Sequence, residues 1–167
     1  MAGIIDSQSV KTTDGGSPRG HDAGKKTMGR ERHIVSDTVG NLLKLVTHGA
    51  DVQDRNGVPG FVSQAVESHQ TSAHIFGDDG YAGKELRDAM ADTDRPSIEI
   101  VKRPPGITGF VVIARRWVVE RTFVWLGYCR RLANEWETSV ASADAWTLIA
   151  AIRRSPRRIA REAAQEL

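Results

Sequence analysis

The chain has 167 residues and a mass of 18.3 kDa, with 40% hydrophobic and 26% charged side chains, which suits one domain with a real core and falls short of two. Its 23 basic and 21 acidic side chains leave a net charge of +2, so the total says little about nucleic acid and the distribution of charge matters more. The single cysteine, Cys129, excludes an internal disulfide and fits a reducing cytoplasm, and no long apolar run or signal-peptide pattern points to membrane or export.

In chain order, GIIDSQSVK reads as a short buried strand in which Ile4 and Ile5 lead into Asp6. The stretch TTDGGSPRGHDAGKKTMG is rich in glycine and polar residues and predicts a mobile loop. Gly20 and Gly24 before Lys25 resemble a phosphate loop, but the spacing is short and Lys26 stands where Ser or Thr is needed, so nucleotide binding is rejected. Lys25, Lys26, Arg30 and Arg32 are expected instead to touch a DNA backbone. RHIVS and LLKLVTH flank Asp37, Gly40 and Asn41 and predict a hairpin, with Asp37 a turn residue rather than a ligand. A helix is expected over Val58, Phe61, Val62, Ala65 and Val66, capped by Asp54 or Asn56.

SAHIFGDDG repeats the first pattern: Ile75 and Phe76 lead into Asp78 and Asp79 before a glycine turn, and the preceding helix makes this a parallel strand. AGKELRDAMADT then predicts a helix and SIEIVKR a last strand. RRWVVERTFVWLGYCRRL, from Arg115 to Leu132, predicts a helix whose apolar arc holds Val118, Val119, Thr122, Trp125, Leu126, Cys129 and Leu132. On its polar side Glu120 is ringed by Arg116 and Arg131, with the bare backbone of Gly127 between. A further helix with Ser142 as cap carries Ala145, Leu148, Ile149 and Ile152, and the end, RRSPRRIAREAAQEL, reads as a basic tail broken by Pro156.

The segments IIDSQSVKTT, HDAGKKTMGRERHIVSDTVG, HGADVQDRNG, GDDGYAG and RRWVVERTFVWLGYCRRL together resemble the catalytic half of bacterial insertion-sequence transposases of the DDE type, most closely the insertion-sequence-five group. The resemblance runs in the family's order from near residue 4 to about residue 137. It implies an α/β ribonuclease-H-like mixed sheet, three antiparallel strands plus two parallel, flanked by helices. Residues 1–138 would form the catalytic domain and 139–167 a C-terminal helix and basic tail. It also implies a metal-binding triad of Asp6, Asp78 and Glu120, with Asp79 at a variable position and Arg116 as the family's arginine. Only five residues precede Asp6, so the family's N-terminal DNA-binding region is missing from the pattern, and Tyr128 and Cys129 replace a basic residue expected after Gly127.

The chemistry accounts for the residue types. Phosphodiester cleavage and joining need an attacking oxygen aligned with a leaving oxygen while negative charge is spread, and two Mg²⁺ ions about 4 Å apart serve both needs. Mg²⁺, or Mn²⁺ in its stead, takes carboxylate oxygens, and Arg116 and Arg131 would offset the clustered acids and hold phosphates. The resemblance implies as partners the element's terminal repeats and target DNA, further copies of the chain, and a product of an upstream frame, in the bacterial cytoplasm at the nucleoid. Two alternatives stand beside transposition: a remnant that binds DNA weakly without cutting it, and a general nuclease. Zinc is set aside because His21, His33, His48, His69 and His74 show no close pair with ligand spacing. Ser7 and Ser9 lack the glycines of a nucleophile elbow. Of the tryptophans, Trp117, Trp125, Trp136 and Trp146, only Trp117 lies near the Glu120 face and invites base stacking.

Overall fold

The structure is a computed structural model that describes residues 2–13, 15–52, 74–83, 97–102 and 116–165, together with 60–62, 64, 88 and 106. Its strands are β1 (Ala2–Lys11), β2 (Gly20–Asp22), β3 (Thr27–Asp37), β4 (Leu42–Gly49), β5 (His74–Gly77) and β6 (Ser97–Ile100). The helices, numbered among the described residues, are α1 (Arg116–Gly127), α2 (Val140–Ile152) and α3 (Arg154–Gln165).

β3 is the strand with neighbours along most of its length. It pairs antiparallel with β1 on one edge and with β4 and the short β2 on the other, while β5 and β6 continue the sheet in parallel beyond β1. Three antiparallel and two parallel strands were expected, and the added β2 corrects the reading of residues 12–29 as a loop. His21 opposite Met28 and Asp22 opposite Thr27 make a small hairpin whose turn places Lys26 at a φ of 50°. The β3–β4 turn is as anticipated: Asp37 Oδ1 accepts from the backbone N–H of Val39 and Asn41, and Gly40 supplies a φ of 88°.

Alternation along the strands divides the core in two. Ile4, Ile34 and Phe76 face α1, where Val118, Val119, Phe123 and Leu126 cover them. Ile5, Val35 and Ile75 face the other way, onto Phe61, Val62 and Tyr81. Covered on both faces, the strands carry unbroken apolar pairs rather than an alternating pattern. Each fully buried isoleucine removes enough apolar surface from water to contribute ~1.5–3 kcal/mol.

Several expectations change. α1 stops at Gly127 and the chain continues through a short 3-10 turn at Arg130–Leu132, so Arg131 leaves the Glu120 face; it pairs with Glu137 at 2.6 Å and lies over the Trp146 ring. Phe123 belongs to the buried arc in place of the half-buried Trp125. Ser139, not Ser142, caps α2, accepting a hydrogen bond from the Ser142 N–H. The basic tail is the helix α3: Pro156 is its third residue, where a missing N–H costs no intrahelical bond. The expected helix from Val58 to Val66 is described only at residues 60–62 and 64, and the one over residues 82–93 only at 82, 83 and 88, of which 82 and 83 are not helical; the rest of both lies outside the described residues.

Arg30 and Arg32 are the clearest correction. Their positions on β3 point to the α-helical side of the sheet, and their side chains are 0% and 1% exposed. Arg30 donates to the carbonyls of Ser17, Pro18, Glu137 and Thr138, and Arg32 donates to Leu132 O and to Glu135 Oε2 at 2.6 Å. They bind the segment after α1 to the sheet and are closed to DNA.

Candidate active site

The pairing of β1 with β5 decides the first step. Ala2 lies opposite His74, Gly3 opposite Ile75 and Ile4 opposite Phe76, and this parallel register continued by two residues sets Asp6 beside Asp78. In-register residues of parallel neighbours share a face, and Ile4 and Phe76 show that this face is the one under α1. Asp78 leaves the end of β5 as the cap of a 3-10 turn, its Oδ1 accepting from the Gly80 N–H at 2.9 Å. Glu120 comes down from α1, because Val119 and Phe123 on either side of it are held in the core.

Arg116 joins the acids. Its Nη2 lies 3.6 Å from Asp78 Oδ2 and 3.6 Å from Glu120 Oε1, one helical turn before the glutamate. Asp6 sits deeper and accepts only the Ser7 N–H, at 2.8 Å, among the bonds described. Burial pushes its carboxyl up from 3.8 to about 6; the Ser7 N–H and Arg116 oppose this, and the charges of Asp78 and Glu120 add to it. The structure therefore brings Asp6, Asp78, Glu120 and Arg116 together and leaves Arg131 out. An all-oxygen set of acids whose innermost member has its pKa raised, by burial first and by its neighbours' charges after that, suits a hard divalent cation, which would relieve the repulsion. The carboxylates are not drawn to ligand distance of one another in this state; the Arg116 guanidinium stands between two of them.

Of the cations expected at DNA, Lys25 reaches back to Glu31 and Asp22 on the sheet face away from α1, and Lys26 is exposed in the β2–β3 turn. A larger basic surface joins the C-terminal basic run to α1. Beside the acid site, one stripe further round α1, Arg121 lies over the rings of Trp117 at 4.1 Å and Trp125 at 4.4 Å, and Arg154 of α3 covers Trp125 from 3.3 Å. With Arg153, Arg158 and Arg161 these line a groove of about 740 Å³. Burial and the crowding of Arg121 and Arg158 push the pKa of Arg154 down, the mark of concentrated positive charge. The signal was legible as the spacing of Trp117, Arg121 and Trp125 along one helical stripe. What the sequence lacked was α3 folding back beside it.

A six-stranded mixed sheet, β1 to β4 paired antiparallel and β5 and β6 added in parallel, with helices on its faces, defines a ribonuclease-H-like domain. The chain belongs to the transposase DDE domain family, whose pattern it matches over residues 1–153. It is 29% identical over 116 residues, 65% of its length, to a Burkholderia cepacia protein described as "Putative transposase for insertion sequence element IS402", of which it covers 54%. In fold it resembles a chain of the simian T-cell lymphotropic virus intasome, solved by cryo-electron microscopy in complex with PP2A regulatory subunit B56 gamma. The TM-score is 0.56 at 16% identity, over 90% of this chain and 46% of that one. The chain thus spans about half the length of each. The family is one of DNA-cutting and strand-transferring enzymes that use divalent metal.

Proposed function

We propose that this chain is the catalytic part of an insertion-sequence transposase that cuts element ends and joins them to target DNA, with Asp6, Asp78 and Glu120 as its metal ligands. The observation that carries this reading is the convergence of three acids from two neighbouring strands and a crossing helix, with Arg116 tied to two of them. Asp6, Asp78 and Glu120 would together hold the two Mg²⁺ ions, which Mn²⁺ could replace. Bound, the metals supply Lewis-acid stabilisation of the charge that develops on the phosphate and lower the pKa of an attacking water. The protein orients the carboxylates: Gly80 N–H fixes Asp78, Ser7 N–H fixes Asp6, and the helical turn fixes Glu120. Arg116 is freed to hold a phosphate oxygen once cations neutralise its partners. Water is the nucleophile for cutting the end, and the released 3′-hydroxyl is the nucleophile for joining.

In this reading residues 1–138 are the catalytic unit and 139–167 a helical extension that completes the basic groove. Terminal-repeat and target DNA lie along that groove, and the chain acts as a multimer on DNA at the nucleoid, in the cytoplasm. Among the described residues no helix is long and apolar enough to cross a membrane.

The test is nicking of supercoiled plasmid and of element-end DNA by the purified chain with Mg²⁺ or Mn²⁺. Asp6→Asn and Glu120→Gln should each lower the rate by ~10²–10³-fold, the range for removing a group that stabilises developing charge. Bound DNA that is never cut by a folded chain would instead favour the remnant, and cutting without preference for element ends a general nuclease. The groove has its own test. Arg153→Ala with Arg161→Ala, both exposed, should reduce the slope of log affinity against log salt by about 1–2, as two lost phosphate contacts require. An unchanged slope would place the DNA elsewhere.

A further inference from the structure

On the face of the sheet turned away from Asp6, strand pairing assembles a cluster that transposition does not use. Glu31 and His33 are two apart on β3 and share that face, and the β3–β4 register sets His48 opposite Glu31. One ligand atom from each of the three lies within 4.8 Å of the others, and the rings of His33 and His48 are 4.6 Å apart. The absence of a close histidine pair, expected from sequence spacing, is thereby corrected.

We propose that Glu31, His33 and His48 form a binding site for a zinc-type divalent ion, separate from the oxygen-only site of the acid triad. Two imidazoles and a carboxylate are the donor set that borderline transition metals prefer over Mg²⁺.

The outer contacts orient each donor. His48 Nδ1 lies 2.8 Å from the Gly49 carbonyl, which only accepts, so Nδ1 carries the proton and the buried Nε2, without a hydrogen-bond partner among the described residues, presents its lone pair. His33 Nδ1 is 3.1 Å from the Tyr81 hydroxyl, while its buried Nε2 faces Glu31 Oε2 at 3.9 Å. Glu31 is divided in the same way: Lys25 Nζ, Ser7 Oγ and Ser9 Oγ donate to Oε1, leaving Oε2 toward the histidines. A backbone carbonyl, a phenol and two hydroxyls thus do what outer partners of metal ligands do. A cleft of about 540 Å³, lined by His21, Asp22, Lys25, Asp51 and Asp79, opens Glu31 to solvent.

The ion would tie β3 and β4 to Tyr81, which sits in the turn immediately after Asp78. It would act as a clamp on the strand end that carries one triad acid.

Co²⁺ added alone to the purified full chain, with visible absorption recorded, tests the site. One Co²⁺ per chain should give the ligand-field bands of a nitrogen- and oxygen-bound ion of low coordination, displaced by one equivalent of Zn²⁺. His48→Gln should abolish the bands, Tyr81→Phe should weaken binding by ~10–100-fold, and Asp6→Asn should leave both unchanged. His33 is buried and its replacement risks the fold, so the half-exposed His48 and the phenol of Tyr81 carry the test, with circular dichroism as the check on folding. Absence of the bands in the folded parent chain, or their persistence in His48→Gln, overturns the proposal.

Discussion

Without divalent metal at pH 7.5, Asp6→Asn should unfold at a higher temperature than the parent chain. The folded protein raises the Asp6 carboxyl from 3.8 to about 6, and burial is the main cause. At ~1.4 kcal/mol per unit this penalises the ionised form by up to ~3 kcal/mol, or roughly 5–10 °C for a chain of this size. The direction with pH follows from proton binding. Below 3.8 both folded and unfolded chains hold the proton; between 3.8 and about 6 the folded chain holds more of it, so this contribution to stability is lost as pH rises; above 6 the penalty is constant. The advantage of the variant should therefore grow from about pH 4 to about pH 6 and then level off. His33, whose pKa is lowered to about 4, acts in the opposite direction over nearly the same window, but equally in both chains, so it cancels in the difference. Mg²⁺ should raise the melting temperature of the parent and not of the variant. A loss of both stability and cleavage in Asp6→Asn would mean that the carboxylate holds the fold together rather than waiting for a cation, which would sink the assignment. Gain of stability with loss of cleavage is the signature of a group kept for function against the fold's preference.

The largest loss is expected at a residue outside the acid site. Glu135 is 1% exposed and answers Arg32 at 2.6 Å and Arg30 at 4.0 Å, while its Oε1 also accepts the Glu137 N–H. Glu135→Ala would leave two guanidinium groups enclosed with carbonyls as their only partners in the described contacts, a loss of ~3–5 kcal/mol. Urea denaturation should show the midpoint falling while the slope holds. Glu135→Gln, which keeps the shape and the hydrogen bond from Glu137, should cost less. A loss below ~1 kcal/mol for the alanine would show that Arg30 and Arg32 swing into solvent, and would return them to the DNA-contacting role that sequence assigned them.

Much of the site was legible because it follows from local rules. Ile-Ile-Asp and Ile-Phe-Gly-Asp each read as a buried strand leading into an acid, though β1 runs on past Asp6 to Lys11, and the helical spacing of Arg116 and Glu120 needs nothing beyond one turn of backbone. The β3–β4 hairpin was equally local, because Asp37, Gly40 and Asn41 write the turn chemistry themselves. Two misreadings came from treating basic residues as solvent-facing on charge alone. Arg30 and Arg32 alternate with Glu31 and His33 along one strand, and which member of such a pair is covered depends on the layers above and below the sheet.

By itself, then, the sequence determined the strands and helix around the site, β2 excepted, the acids that follow the apolar pairs of β1 and β5, and the helix that carries the third, since all of these depend on neighbours within a few residues. Only the tertiary structure decided what lies across from what. The parallel register that sets Asp6 beside Asp78, the pairing that puts His48 over Glu31, and the folding of α3 back onto Trp125 join residues far apart in the chain. Those pairings arise from burying two opposite apolar faces at once, a condition that the whole sheet satisfies and no single segment can express.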